Sequence, residues 1–306
     1  MEYCAYFIKD KALFGSHPSQ DSVKKLENNG VRYFVDLTCE GEKKIKPYTT
    51  EYTYIHYPLV DHKAPYDWKS FATLIIKLSK IIYNLKKDEK IYINCKAGIG
   101  RSGLVAACIL CYLEKMTYEQ AIEITTKCHR ERLVLKDNLR KMLSPQTATQ
   151  RNFVKKFFEP LYFYKAYKYG LTKGFSNFSL DNVEIEGIGK FPTSEAAYQA
   201  HKNLENKDYV IKQQESKTPT ISKRLGKYVE ISEEFENNKD EIMEKIIKLK
   251  FTQNSEIKES LLSTGLKIII SSDINDTYWG IGKDGQGKNM LGKILMKIRN
   301  EMYLDI

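Results

Sequence analysis

CKAGIGRSG, residues 95–103, is the stretch that decides the fold of the first half of this chain. An apolar run, Lys90 to Asn94, precedes it and a longer one, Leu104 to Leu113, follows it, which predicts a strand, a glycine-rich turn and a helix. Backbone amides of such a turn, together with the positive end of the helix dipole, form a site for an anion. The same field favours a thiolate at Cys95 over the thiol.

The side chains of this run suit the transfer of a phosphoryl group. Arg101 carries a planar guanidinium that fits two phosphate oxygens, both in a bound ester and in the transition state. Ser102 is placed to donate a hydrogen bond to the departing thiolate when a phosphocysteine is hydrolysed. The residues expected to surround the phosphate are Lys96, Ala97, Gly98, Ile99, Gly100 and Arg101. Cysteine and arginine at this spacing arise by chance, but the glycines and the strand and helix around them indicate a phosphatase loop.

With these motifs, residues 1–159 resemble an atypical dual-specificity protein phosphatase, an α/β fold with a central sheet flanked by helices. Residues 13–19 and 30–38 are similar to the opening strands of that family. The resemblance implies a general-acid aspartate on a mobile loop ahead of the cysteine strand. Asp61 fits that place best, and Asp67 is the alternative.

The resemblance also implies a glutamine that orients the hydrolytic water, and Gln150 or Gln146 in the segment 145–150 matches it. Asn94 departs from the family, which usually has histidine immediately before the nucleophile. The thiolate of Cys95 is therefore expected to be less favoured, with a lower rate at acidic pH.

Size and composition indicate two intracellular domains that bind anionic ligands. The chain has 306 residues, a formal charge of +10 and six cysteines. The charge favours phosphate esters, nucleotides or a nucleic-acid backbone without choosing among them. Cysteines without an extracellular pattern indicate a reducing compartment, so we expect the cytosol or the nucleus. No signal-peptide profile and no apolar run of about 20 residues is present, so no membrane partner is expected.

The chain changes character near residue 160. A helix over 151–158 is expected to end at Glu159-Pro160, and residues 161–164 are predicted to form the first strand of a new unit. We therefore expect domains at 1–159 and 160–306. In the second, Thr193 or Ser194 caps a helix on which Glu195, Tyr198 or Gln199, and Lys202 share one face, a face that is ordinarily exposed to solvent.

A glycine-rich segment, residues 276–289, precedes the last predicted helix, 291–301. Its glycines match a dinucleotide fingerprint superficially, but no strand-helix-strand unit frames them. A loop that lets the backbone approach a flat ligand, with Trp279 available for stacking, is the better interpretation.

Seven ordered runs of the second half resemble the NADAR superfamily: 174–178, 192–202, 219–226, 250–254, 261–265, 279–282 and 289–296. The resemblance implies a mainly α domain that hydrolyses N-glycosidic bonds, in early riboflavin intermediates or in ADP-ribosyl-guanine, with neither a metal nor another cofactor. Lys202 is the candidate nucleophile, through a Schiff base with ring-opened ribose, and Lys250 is the competing amine.

The remaining roles implied by this resemblance fall on two other groups of residues. Glu195 would move protons, and Asp276 would position the ribose hydroxyls or the base. Contacts to the ribosyl group and the base are expected from Asn177, Trp279, Gly280, Gly282 and Asn289.

The whole chain is thus expected to be a bifunctional hydrolase. Its substrates would be a phosphorylated protein or nucleotide and an ADP-ribosyl or ribosyl-base metabolite, ADP-ribosylated nucleic acid included. Two alternatives remain open. The domains act independently, on phosphoproteins and on damaged metabolites, or the second domain is an ADP-ribose-binding module that targets a protein phosphatase.

Overall fold

The structure, a computed structural model, describes residues 2–164 and 170–305, which form two compact units that divide between Glu159 and Pro160. Within the described residues, no helix is long and apolar enough to cross a membrane.

The first unit contains a five-stranded sheet in the order β1-β2-β5-β3-β4. Its strands are β1 (Cys4–Ile8), β2 (Ala12–Ser16), β3 (Val31–Asp36), β4 (Thr53–His56) and β5 (Lys90–Cys95). β1 is antiparallel to β2, and the other pairs are parallel. A parallel strand in the middle of a sheet is covered on both faces, which explains why every residue of β5 after Lys90 is buried.

Helices flank this sheet, as the sequence predicts. They are α1 (Gln20–Asn28), α2 (Trp68–Tyr83), α3 (Arg101–Leu113), α4 (Tyr118–Arg130), α5 (Asp137–Arg140) and α6 (Ala148–Phe158). α3 is buried along most of its length, and its Cys108 and Cys111 belong to the core. Since β2 to β5 run parallel, the loops that follow them meet at one edge of the sheet. That edge carries the first candidate site.

The second unit is mainly helical. Its helices are α7 (Ser194–Ala200), α8 (Lys207–Gln214), α9 (Pro219–Leu225), α10 (Glu233–Gln253), α11 (Ser255–Leu262) and α12 (Met290–Leu304). Two small sheets accompany them. β6 (Pro160–Phe163) pairs in parallel with β9 (Ile268–Ser271), and β7 (Val183–Ile185) pairs antiparallel with β8 (Gly189–Phe191).

Helix α7 corrects two expectations. Thr193 caps it through a hydrogen bond from the Ala196 amide, but every residue of the helix is buried, so the face with Glu195 is not exposed to solvent. The helix also ends at Ala200, and Lys202 lies beyond its last turn. The helical face predicted for Glu195 and Lys202 together is therefore wrong.

Two candidate active sites

The candidate phosphate-binding loop leaves β5 at Cys95 and enters α3 at Arg101. Cys95 is buried, and its Sγ lies 3.4 Å from Oγ of Ser102. Gly98 has φ of +69°, and a Cβ there would come within 2.2 Å of the Gly15 carbonyl carbon. Glycine is thus required at this position, because any side chain would push the loop away from the end of β2.

Arg101 is held along one edge of its guanidinium. Nη1 donates to the Leu59 carbonyl oxygen at 3.0 Å and to Oε1 of Glu42, and Nη2 donates to Oε2 of Glu42 at 3.0 Å. Nε is buried and has no hydrogen-bond partner among the described residues, although it lies 3.3 Å from Oδ1 of Asp61. The Nε and Nη2 edge therefore has donors left for two oxygens of one anion.

Glu42 is a residue of this site that the sequence did not indicate. It lies in the loop after β3, and its Oε1 also accepts a hydrogen bond from the Cys39 amide at 2.8 Å. Burial opposes ionisation, but the hydrogen bonds from Arg101 and Cys39 outweigh it and lower the pKa of Glu42. Glu42 is thus a carboxylate that fixes the guanidinium, and no motif marks it in the sequence.

The structure separates the two acid candidates. Asp61 is partly exposed, at 41%, on the loop after β4, and it faces Arg101. Asp67 instead caps α2, where its Oδ1 accepts from the Ser70 amide at 2.9 Å. A carboxylate occupied by its own helix is poorly placed as a proton donor, so the geometry favours Asp61.

Both candidate glutamines lie beside the loop, since Gly100 is close to Gln150 and to Gln146. Gln150 is buried. Its Oε1 accepts from the Thr147 amide at 3.1 Å, and its Nε2 donates to the Lys63 carbonyl at 3.3 Å. Gln150 therefore joins the segment that carries Asp61 to the start of α6.

Arg132 supports the loop from behind and was also missed. It is buried, its Nη1 donates to the Ala97 carbonyl at 3.2 Å, and its Nη2 donates to the Gly98 carbonyl. A buried guanidinium thus binds two carbonyls of the loop. In the sequence Arg132 is one of several basic residues after α4, with nothing to distinguish it.

The second site is a cavity of about 290 Å³ in the second unit. Five of the residues predicted to bind or act on the ribosyl group line it: Asn177, Glu195, Asp276, Trp279 and Gly280. Residues that the sequence did not indicate also line it, among them Lys223 and Asp273. Within the described part of the chain, the lining does not include Lys202, Lys250, Gly282 or Asn289.

Glu195 is the buried acid of this cavity. Burial raises the pKa of its carboxyl, while a hydrogen bond from Nε2 of Gln199 at 2.9 Å and the nearby Lys223 and Lys202 act in the opposite direction. The net shift is upward, which favours the protonated form. Glu195 is thus suited to donate a proton to a leaving nitrogen.

The two candidate amines are both engaged outside the lining. Nζ of Lys202 donates to the Gly226 carbonyl at 2.8 Å, and partial burial lowers its pKa. Lys250 is fully buried and donates to the Ser176 carbonyl at 2.9 Å and to Oγ of Ser179 at 2.6 Å. Burial lowers its pKa to about 7. Lys250 therefore lies behind the cavity wall that Ser176 forms.

The glycine-rich segment contributes Asp276 and Trp279 to the cavity. Oδ1 of Asp276 accepts from the amides of Tyr278 at 2.9 Å and Trp279 at 2.7 Å, which fixes the turn. Asn289 does not fit a binding role. Its Oδ1 accepts from the Ser271 amide and its Nδ2 donates to the Ile269 carbonyl, both at 2.9 Å, so the side chain is used to hold β9.

Comparison with known families divides the chain in the same manner. Residues 13–148 match the model of the dual specificity phosphatase catalytic domain, and residues 162–303 match that of the NADAR domain. Putative tyrosine phosphatase 197R of Invertebrate iridescent virus 6 is 30% identical over 98% of this chain and 95% of its own length.

The second unit has further relatives. N-glycosidase YbiA of Escherichia coli (strain K12) is 33% identical over 43% of this chain and 82% of its own length. The NMR structure of the E. coli protein YbiA covers 48% of this chain and 86% of that chain, at 31% identity and a TM-score of 0.43.

Proposed function

The chain belongs to the dual specificity phosphatase family through its first unit and to the NADAR family through its second, and from this premise we propose that it is a bifunctional hydrolase. The first activity is a cysteine-dependent phosphatase. The second is an N-glycosidase that releases a base from an ADP-ribosyl-guanine or ribosylaminopyrimidine type of substrate.

The free edge of Arg101 is the observation that carries the phosphatase proposal. The Cys95 thiolate attacks phosphorus, Arg101 binds two of the phosphoryl oxygens, and Asp61 protonates the leaving oxygen. In the second step, Asp61 takes a proton from a water that Gln150 orients, and that water breaks the phosphorus–sulfur bond. Ser102, 3.4 Å from Sγ, then donates a hydrogen bond to the thiolate that leaves.

The buried Glu195 carries the N-glycosidase proposal. As the bond from C1 of the ribose to nitrogen breaks, Glu195 gives its proton to the nitrogen, and positive charge develops on the sugar. Asp276 positions the ribose hydroxyls through the oxygen that the turn leaves available. Trp279 stacks on the base, since its ring is held edge-on by Tyr198 at 5.7 Å.

Capture of C1 has two routes. In one, a water adds to C1 and its proton returns to Glu195. In the other, a lysine amine adds to C1 as the base leaves, the ribose ring then opens to a Schiff base while the amine proton passes to the ring oxygen, and a water hydrolyses the Schiff base to ribose and the free amine. Lys202 and Lys223 are the amines whose charges act on Glu195, so they are the candidates for that step. Borohydride trapping of each lysine variant with substrate distinguishes the routes.

One experiment tests both activities on the full chain. Wild type, Cys95→Ser and Glu195→Ala are incubated with a tyrosine phosphopeptide, ADP-ribose 1″-phosphate, a ribosylaminopyrimidine phosphate and ADP-ribosylated guanosine, and the products are analysed by mass spectrometry. We expect Cys95→Ser to lose phosphate release alone and Glu195→Ala to lose base release alone. If no protein releases base although the second unit binds ADP-ribose, the N-glycosidase proposal fails and a targeting module is the better explanation.

A further inference from the structure

The residue immediately before the nucleophile, Asn94, is part of a buried hydrogen-bond network. Asn94 and Asp36 are direct partners across the β5–β3 pair, and Nδ2 of Asn94 donates to Oδ1 of Asp36 at 2.9 Å. On its other side, Oδ1 of Asn94 accepts from the Tyr48 hydroxyl at 2.8 Å. Both ends of the amide are therefore paired, and the whole side chain is inaccessible to solvent.

Asp36 determines which way this amide points. Its carboxylate also accepts from the amide and the hydroxyl of Thr38, at 3.0 and 2.8 Å, and His17 Nε2 lies 3.5 Å from Oδ2. Burial alone would raise the pKa of Asp36, but these interactions outweigh it and lower the pKa. An ionised carboxylate only accepts, so Asn94 must turn its NH₂ group to Asp36 and its oxygen to Tyr48.

The network is bonded to the backbone from which Cys95 projects. The Leu37 amide donates to the Asn94 carbonyl at 2.9 Å, and Ser16 on β2 pairs with Cys95 itself. One residue further, the His17 amide donates to the Lys96 carbonyl at 3.3 Å. The strand end at Cys95 is thus fixed from both neighbouring strands, and the side chains of Asp36 and Asn94 form the β3 side of that attachment.

We propose that Asp36 is a positioning residue for the phosphatase reaction, acting on the Cys95 thiolate through an Asn94 side chain that Tyr48 locks in place. The inference rests on the proposed phosphatase function of the first unit. Asparagine is then required at position 94, because its NH₂ group donates to the Asp36 carboxylate and its oxygen accepts from the Tyr48 hydroxyl.

Histidine at position 94 would not satisfy this arrangement. One ring nitrogen of an imidazole takes the place of one amide atom, but a carbon takes the place of the other, which leaves one partner unpaired. The rest of the ring extends into a site with no solvent-accessible space. Unpaired buried groups and overpacking both displace their surroundings.

The test compares Asn94→His and Asp36→Asn with wild type and with Tyr54→Phe. The Tyr54 hydroxyl donates to Oδ2 of Asp36 at 3.1 Å, whereas Asn94 donates to Oδ1. Tyr54→Phe therefore removes a bond to the same carboxylate without removing the one from Asn94, which makes it a matched control. Two quantities are measured on the full chain: kcat and KM for p-nitrophenyl phosphate, and the pH profile of the alkylation rate of Cys95 by iodoacetamide, located by mass spectrometry.

We expect Asn94→His and Asp36→Asn to lower kcat by about 10- to 100-fold with little change in KM, since displacement of a reacting group acts mainly on the chemical step. The pH profile of alkylation should shift in the same two variants. Tyr54→Phe should keep the wild-type profile and a kcat close to that of wild type.

Other outcomes decide against the proposal. An Asn94→His protein with wild-type or higher kcat and an unchanged alkylation profile would overturn it. Should Asn94→His or Asp36→Asn fail to fold, Tyr48→Phe removes one bond to Asn94 at nearly constant volume, and an unchanged kcat and alkylation profile there would equally refute it. If wild type hydrolyses no phosphoester, the phosphatase function fails, while the alkylation profiles still test the positioning.

Discussion

Lys250 gives a prediction whose size follows from its surroundings. The ammonium is fully buried, its two hydrogen bonds go to the uncharged Ser176 carbonyl and Ser179 hydroxyl, and a carboxylate oxygen of Asp181 lies 4.0 Å from its Nζ. Burial accordingly lowers the pKa of Lys250 to about 7. In the unfolded chain the same amine has its ordinary value of about 10.4. The folded state therefore binds fewer protons between these two values.

The stability of the second unit should then depend on pH through this one group. Above the unfolded pKa the amine is neutral in both states, and its burial does not oppose folding. As the pH falls towards the folded pKa, the unfolded state binds the proton first, so the folded state loses stability. Between pH 9 and pH 7 that loss amounts to about 2 kcal/mol for a group that titrates at about 7 when folded. Lys250→Met removes the titration, so the free energy of unfolding of wild type relative to the variant should fall by this amount.

Tryptophan fluorescence makes the measurement specific to the second unit. The chain has two tryptophans, Trp68 in the first unit and Trp279 in the second, so a Trp68→Phe background leaves Trp279 as the reporter. Urea unfolding is then followed at pH 7, 8 and 9 for Lys250→Met and for the control Lys248→Met. Lys248 lies on the same helix but is exposed, and its ion pair with Glu301 raises its pKa, so it does not titrate in this range.

A difference between wild type and Lys250→Met that is the same at all three pH values would refute this reasoning. It would mean that Lys250 keeps its proton in the folded state and that the Asp181 carboxylate compensates the charge in spite of the distance. A pH dependence of equal size in Lys248→Met would refute it as well, because an exposed lysine cannot be its source.

Three further outcomes are expected. Asp61→Asn should lower phosphatase kcat by about 10²- to 10⁴-fold. Asp67→Asn should leave kcat near the wild-type value, because asparagine also caps a helix. Steady-state kinetics compare the two variants on an alkyl phosphate, whose leaving group is poor and needs protonation. Glu42→Gln should lower phosphatase kcat/KM by about tenfold or more, since a charge-assisted bond to Arg101 is lost; equal kinetics would show that Arg101 needs no such support. Burial raises the pKa of Glu195, so its carboxylate destabilises the fold as the pH rises through that pKa. Glu195→Gln should therefore raise the melting temperature more at pH 8 than at pH 5. Thermal unfolding of both proteins at the two pH values measures this difference.

The first site was largely predictable because its chemistry is local in sequence. The loop 95–103 contains the proposed nucleophile, the arginine and the glycines in one continuous run, and the strand and helix around it follow from hydrophobic pattern alone. Glu42 and Arg132 were not predictable in this way. They reach the loop from the segment after β3 and the segment after α4, and nothing in their own neighbourhood indicates contact with it.

The second site was less predictable because its side chains depend on where helix α7 ends. The spacing of Glu195 and Lys202 places them on one face only if α7 continues for two turns, but the chain leaves the helix at His201, whose side chain bonds back to the Ala197 carbonyl. Asn289 looked available for a ligand, yet it has φ of 51° and pairs with β9. Lys223 was part of a matching run and still carried no sign that it would line the cavity.

Net charge relates differently to the two sites. The excess of lysine and arginine predicts anion binding, and the first site has side-chain chemistry suited to it, with a buried guanidinium at the start of α3 whose Nε makes no hydrogen bond among the described residues. The lining of the second site holds Glu195, Asp273 and Asp276 together with Lys223. Carboxylates at this density suit hydroxyl groups and a nitrogen that must be protonated. We therefore expect the few charges that each fold buries to decide which bond is broken, and the many exposed lysines to contribute mainly to long-range attraction.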